Sequence, residues 1–276
     1  MKKFINYNGN IYEEEQPVLT VADHSYRYGD GLFETMKMIK GNILFEEFHF
    51  ERLFSGLKVL KFTTPGLFTR QKIGEEIKRL CKKNNSEELA RIRLAVSRGN
   101  GGLYDCDNKF SYVIECWPLE NNNGDINTNG LVIDVFPDAR KSVDHFSNLK
   151  SANYLPYVMA AVWAKENKLN DALILNQHGR ICDATIANVF WTKSDKIYTP
   201  PLSEGCVSGI MRRRILNSGL DIHESILSED ILLNADEVFL TNVITGIRWV
   251  KQCGNKGYSN TITYKIFAEL NRTIPL

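Results

Sequence analysis

Two α+β domains are the architecture this sequence calls for. Strand-like runs outnumber helical ones and do not alternate strictly with them, which argues against a doubly wound parallel sheet. The length, 276 residues, suits one large domain or two modest ones with ample core to fold without staples. A polar break at 120–130, reading ENNNGDINTNG, has Ile126 as its single apolar residue. It reads as a linker between a smaller domain at 1–119 and a larger one at 131–276. The alternative is a decorated hairpin loop inside one domain.

The first half opens with short strand-like runs, of which 33–39 is the clearest, followed by a turn at Lys40-Gly41-Asn42. Phe50, Leu53, Phe54, Leu57 and Leu60 recur at helical spacing over 46–62. A second helix is expected over 67–83, with Phe68, Ile73, Ile77, Leu80 and Cys81 as its buried stripe. Over 89–97 the pattern alternates, so Ile92, Leu94 and Val96 face one way and Arg91, Arg93 and Ala95 the other. A further strand is expected at 110–117. In the second half, strands are expected at 131–136, 171–176, 187–192 and 237–241, with a tight turn at Gln177-His178-Gly179. Helices are expected at 154–167, 207–217 and 228–234.

Composition narrows the function classes. Lysine and arginine total 34 against 33 aspartates and glutamates, so no basic excess exists to neutralise nucleic-acid phosphates. Six scattered cysteines form no C-x-x-C pair, which fits reduced thiols in a cytoplasmic protein. The five histidines have no metal-ligand spacing, so no metal is expected. No apolar run approaches the roughly 18 residues of a membrane span.

Several stretches have the chemistry of a site, each with an ordinary alternative. Arg91 and Arg93 share a strand face and suit bidentate contact with a carboxylate, although a solvated edge face reads the same way. The glycine-rich 98–102 follows a strand but lacks the spacing of a nucleotide loop. Gly209-Ile210-Met211 leads into a helix, where free amides and the dipole favour phosphate, as at any helix start. Lys150, at a segment boundary, is either a solvated lysine or an amine nucleophile. Asp183 is a lone acid among small and apolar residues, and needs a partner if buried.

Four motifs occur together and in order: YGDGLFET at 28–35, HFERL at 49–53, LKSANYL at 149–155 and ICDATIANVFW at 181–191. They resemble the Y-G-D-G-x-F-E-T, H-x-x-R-L and K-x-x-N-Y-L segments and the carboxylate-bearing stretch of fold type IV pyridoxal-phosphate enzymes. This class IV aminotransferase family includes branched-chain and D-amino-acid aminotransferases and 4-amino-4-deoxychorismate lyase. The resemblance implies a two-domain α+β fold of the D-amino-acid aminotransferase type and pyridoxal 5'-phosphate as cofactor. It implies that Lys150 carries the Schiff base and moves the substrate proton, and that Asp183 pairs with the pyridine nitrogen. It assigns the phosphate to Arg52, to the backbone at Gly209, Ile210 and Met211, and to the neighbourhood of Thr241 and Asn242. Tyr28, Arg91 and Arg93 become candidates for substrate contact. By resemblance, a homodimer acting on a small amine or amino acid is expected.

Two departures stand out. Asp183 replaces the glutamate usual in the family, and Met211 falls where several aminotransferases have threonine. Within the family, SRGNGG at 97–102, ANVFW at 187–191, SGIMR at 208–212 and LTNV at 240–243 look more like the lyase branch. Against that, Gly102-Leu103-Tyr104 lacks the further glycine expected before the tyrosine. The leading expectation is a lyase that releases pyruvate and p-aminobenzoate. Branched-chain or D-amino-acid transamination is the alternative, and a binding protein that has lost the chemistry is the third reading.

Overall fold

The computed structural model describes residues 2–120 and 125–273, so 121–124 of the expected linker lie outside the described residues. The chain folds as two compact units. One comprises residues 2–120 together with Leu149–Tyr154, and the other 125–148 with 155–273.

The first unit runs β1 (Phe4–Tyr7), β2 (Asn10–Glu13), α1 (His24–Tyr28), β3 (Gly31–Ile39), β4 (Asn42–Ile43), α2 (Glu46–Val59), α3 (Arg70–Lys83), β5 (Leu89–Ser97) and β6 (Ser111–Pro118). Its six strands form an antiparallel sheet in the order β2-β1-β6-β5-β3-β4. Alternation sends Leu32, Met36, Met38, Ile92, Leu94, Val96 and Ile114 to one face, where they bury with Phe50, Leu53 and Leu57 of α2 and Ile73, Ile77 and Leu80 of α3. Full burial of each such side chain is worth about 1.5–3 kcal/mol. The opposite face carries Phe33, Thr35, Lys37, Arg91 and Arg93. Gly31 starts β3 because a Cβ there would lie 2.4 Å from the Val96 carbonyl oxygen.

Two helices in this unit are shorter than their apolar spacing suggests. The stripe over 46–62 gives a helix ending at Val59, with Leu60 as cap and Lys61 in the left-handed region. The second begins at Arg70 because the Thr69 side chain caps it by accepting from the Lys72 amide. Residues 149–154, which sequence order places with the second half, join the first unit. The Phe33 amide donates to the Lys150 carbonyl at 2.9 Å, and the Ala152 amide to the Gly31 carbonyl at 2.8 Å. This segment therefore pairs with the start of β3 through a Leu32–Ser151 bridge.

The second unit contains β7 (Leu131–Lys141), α4 (Leu155–Glu166), β8 (Asp171–Asn176), β9 (Ile181–Ala184), β10 (Asn188–Lys193), β11 (Lys196–Thr199) and α5 (Ile210–Leu216). It continues through β12 (Ile222–Glu224), α6 (Glu229–Leu233), β13 (Glu237–Asn242), β14 (Gly246–Cys253), β15 (Lys256–Gly257) and α7 (Thr261–Thr273). Eight strands run in the order β12-β11-β10-β13-β14-β7-β8-β9, and β15 pairs with β14. Parallel pairs (β11 with β12, β14 with β7, β7 with β8) mix with antiparallel ones. Both faces are apolar: Val189, Trp191, Val238 and Leu240 enter one core, while Phe190 and Phe239 enter another with Ile215 of α5 and Ile266 of α7. Helix α5 starts three residues later than its apolar pattern suggests. The cap Gly209 is extended (φ −71°, ψ 143°), so the helical backbone begins only at Ile210, after a loop in which the Val207 amide donates to Asp183 and the Ser208 amide to the Asn148 carbonyl.

Candidate active site

In the first unit, Lys150 is held by the backbone pairing just described, and its ammonium lies over the Phe33 ring, 4.5 Å from the centroid. Tyr154 packs edge-on against the same ring at 5.5 Å. The Arg93 guanidinium lies over it at 4.0 Å, so Phe33 brings Arg93 and Lys150 to one place. Arg91 is one residue pair further along the strand, 5.7 Å from the Trp117 ring centroid. Burial pulls the Arg93 guanidinium below its ordinary range, against the opposing pull of Glu115.

Glu34 points to the helical face of the sheet. Arg52 Nε donates to its Oε1 at 2.7 Å and Nη2 to its Oε2 at 2.5 Å, while His49 Nδ1 sits 2.6 Å from Oε2. Burial pushes the Glu34 carboxyl up, but Arg52 and His49 outweigh it and hold it at about 2. Burial keeps His49 below the ordinary histidine value despite Glu34, and the charges of Arg52 and Lys150 add to that. Glu34 thus takes two of the three Arg52 nitrogens and fixes the guanidinium plane.

Tyr28 ends α1 and lines a cleft of about 480 Å³ with His24, Asp30, Arg98 and Tyr104. Its described lining does not include Lys150, Phe33 or Arg93. Arg98 and His24 both engage Asp30, holding its carboxyl below the usual range although burial opposes them.

In the second unit, Asp183 on β9 is buried and takes four donors. Tyr157 Oη, the Val207 amide and Lys141 Nζ approach Oδ2 at 2.8, 2.9 and 3.2 Å. Asn188 Nδ2 approaches Oδ1 at 2.9 Å and also donates to the Val207 carbonyl. Asn188 pairs across the sheet with Thr241, at the end of β13. Gly209 caps the start of α5, where a Cβ would fall 1.8 Å from Asn188 Oδ1, so only glycine fits. Ile210 and Met211 form the first turn, whose amides have no acceptor within the helix. The Thr241 hydroxyl is buried and unpartnered among the described residues. Asn242 Oδ1 instead accepts from the Ile244 and Thr245 amides, closing a turn.

Asp183, Gly209 and Thr241 therefore converge on Asn188, while Lys150 and Arg93 converge on Phe33. Sequence reasoning did not single out Asn188, Tyr157, Lys141, Glu34 or His49 as functional. Glu34, His49 and Asn188 stand inside the quoted motifs, so their signal was present. Lys141 carries no local signal, because a strand lysine gives no hint that it bends to an acid 42 residues later.

The model of the amino-transferase class IV family matches residues 31–253. An aminodeoxychorismate lyase of Bacillus subtilis is 30% identical over 251 residues, covering 88% of this chain and 84% of that protein. A D-alanine aminotransferase of Bacillus licheniformis is 26% identical over 248 residues, covering 86% and 83%. The branched-chain aminotransferase of Thermoproteus uzoniensis shares the fold with a TM-score of 0.86 at 22% identity, covering 99% of this chain and 94% of that one.

Proposed function

Since the chain belongs to the class IV aminotransferase family, we propose that it is a pyridoxal 5'-phosphate enzyme and acts as a 4-amino-4-deoxychorismate lyase. The residues present fit that cofactor. Thr241 offers a buried hydroxyl without a partner among the described residues, and Gly209 lets the backbone approach where any side chain would collide. Asp183 Oδ1 accepts from Asn188, and a carboxylate oxygen has capacity for a second donor. The departure from glutamate is matched locally, since Asp183 is braced on both oxygens by groups from four positions of the chain.

When bound, the pyridoxal ring supplies an electron sink for the bond broken at the substrate carbon. Asp183 would keep the proton on the ring nitrogen, and Arg52, Thr241 and the first-turn amides of α5 would meet the phosphate. Lys150 Nζ would take the proton from the amine-bearing carbon, and Arg93 would orient a substrate carboxylate. The observation that carries this reading is the shared seat of Lys150 and Arg93 on Phe33. It puts an amine and a carboxylate binder against one ring. The identity to the Bacillus subtilis lyase supports the lyase over the transaminase.

The deciding experiment loads the protein with pyridoxal 5'-phosphate, adds aminodeoxychorismate and assays p-aminobenzoate and pyruvate together. Equimolar release is expected, falling by about 10²–10⁴-fold in Lys150→Ala, as for loss of a general acid–base group. No release from protein that holds its cofactor would overturn the lyase and turn the work to amino donors of both hands.

A homodimer is part of the same proposal. Leu155, Val158, Met159 and Val162 line one side of α4, each more than 40% exposed. Such a stripe is a surface that association would bury. Sedimentation should give twice the 31.5 kDa chain mass, and Val158→Glu with Val162→Glu should shift it to the monomer. A monomeric parent protein would sink this part of the reading.

A further inference from the structure

Where α3 meets the turn between β1 and β2, the first unit gathers charges that the chemistry at Lys150 does not use. A cleft of about 460 Å³ opens there, lined by the Asn8-Gly9 turn and by Lys72, Glu75, Glu76 and Arg79. These four follow i, i+3, i+4, i+7 spacing, so they form one stripe on α3. The described lining shares no residue with the seat of Lys150 and Arg93 on Phe33.

Glu76 is the buried member, 5% exposed, and its two oxygens are treated differently. Oε2 accepts from the Tyr112 hydroxyl at 2.8 Å and from Asn6 Nδ2 at 3.4 Å. Burial and the bond to Glu76 push the Tyr112 hydroxyl up, so it stays a donor and pins the carboxylate. Oε1 takes no donor among the described residues and is open to the cleft. Gly9 keeps it open, because a Cβ there would stand 3.1 Å from Oε1 and 3.6 Å from Tyr112 Oη. The turn also needs glycine, since positions 8 and 9 both have positive φ, 50° and 86°.

Lys72 and Glu76 stand at i, i+4, as do Glu75 and Arg79, the spacing at which ion pairs close on a helix. Among the described residues neither pair closes. Glu75 accepts from Gln71 at 3.0 Å instead, and Arg79 gives Nη2 to the Gly9 carbonyl at 2.5 Å. Arg79 has further N–H groups to offer, and Lys72, Glu75 and Arg79 are all exposed. A carboxylate oxygen and a guanidinium thus flank one cleft without neutralising each other.

We propose that this cleft binds a small zwitterion of the α-amino-acid class, its ammonium donating to Glu76 Oε1 and its carboxylate accepting from Arg79 and Lys72. Opposite charges held one carbon apart suit an acid and a base at i, i+3, whose Cβ atoms lie about 5–6 Å apart. A lone cation would meet Lys72 and Arg79 as like charges, and a lone anion would meet Glu75 and Glu76. The site is separate from the reacting amine, so the proposal stands whichever reaction Lys150 serves.

The test is a saturation-transfer NMR titration of the cofactor-loaded protein, read on the methyl signals of N,N-dimethylglycine. That probe is a zwitterion, and as a tertiary amine it cannot condense with an aldehyde. Acetate and dimethylammonium, with one charge each, are the comparison ligands. N,N-Dimethylglycine should bind about tenfold or more tightly than either, as one further charge-assisted contact implies. Glu76→Gln, which keeps the size of the side chain, should weaken its binding by about tenfold or more. Arg79→Met, at an exposed position, should do the same, and serves if Glu76→Gln does not fold. No binding by the parent protein, equal binding of either single-charge ligand, or binding that survives unchanged in folded Glu76→Gln or Arg79→Met would overturn the proposal.

Discussion

Glu34 and Asp183 are both 1% exposed, and their surroundings treat them in opposite ways. Glu34 has each oxygen taken by the Arg52 guanidinium, with His49 added on one of them. Its counter-charge is built into the chain and closed around it. Asp183 has its cation, Lys141, on Oδ2 only, together with Tyr157 and the Val207 amide. Oδ1 faces the neutral amide of Asn188. A carboxylate closed by a bidentate guanidinium fixes the orientation of that guanidinium. One that keeps an oxygen away from its cation suits a positive group that arrives with a ligand.

The sharpest way to break this comparison is to neutralise each acid in turn. Glu34→Gln takes the buried carboxylate away from the part-buried Arg52, and arginine cannot shed its proton. A loss of about 3–5 kcal/mol in unfolding free energy is expected in urea titrations. Asp183→Asn removes a single lysine contact at 3.2 Å, against the two guanidinium bonds at 2.7 and 2.5 Å on Glu34, so the stability loss should be smaller. Its activity should nevertheless fall by about 10²-fold or more if Asp183 has the role proposed for it, since the charge that would face the ring nitrogen is removed. Comparable stability losses in the two variants, with cofactor-dependent activity of Asp183→Asn within a few-fold of the parent, would remove the distinction.

The same two acids show how far the sequence could be read. Helical spacing over 46–59 and alternation over 89–97 were legible because each rests on one local period. The helix starts were less so: α5 begins at Ile210 because the chain is extended at Gly209, after a loop tied to residues far away in sequence through Val207 and Ser208. β9 and β14 went unread because they are buried on both faces or broken by a bulge, and neither shows a clean alternation. The motifs marked Lys150, Arg52 and Asp183 but not what surrounds them. Lys141 and Tyr157 meet Asp183 only through the fold.

The smaller effect is in acid, and it probes the closed network through Glu34 and His49. The Glu34 carboxyl is held at about 2 in the folded chain, against the ordinary 4.5. Between those values the unfolded chain takes up a proton that the folded chain refuses, so folding is stabilised above about pH 4.5 and loses that support as pH falls toward 2. The whole effect is about 3 kcal/mol. His49 acts in the same direction at higher pH, because burial lowers its value from 6.5 and the unfolded chain again binds its proton first. Urea midpoints measured from pH 7 to 3 should therefore fall in two stages, one beginning near 6.5 and a steeper one below 4.5. In Glu34→Gln the lower stage should shrink, since Glu34's share of it is gone, while Asp30 and Glu204, also held below the ordinary value, keep theirs. Parallel curves for parent and variant below pH 4.5 would show that the Arg52–Glu34–His49 closure is not what resists acid in this fold.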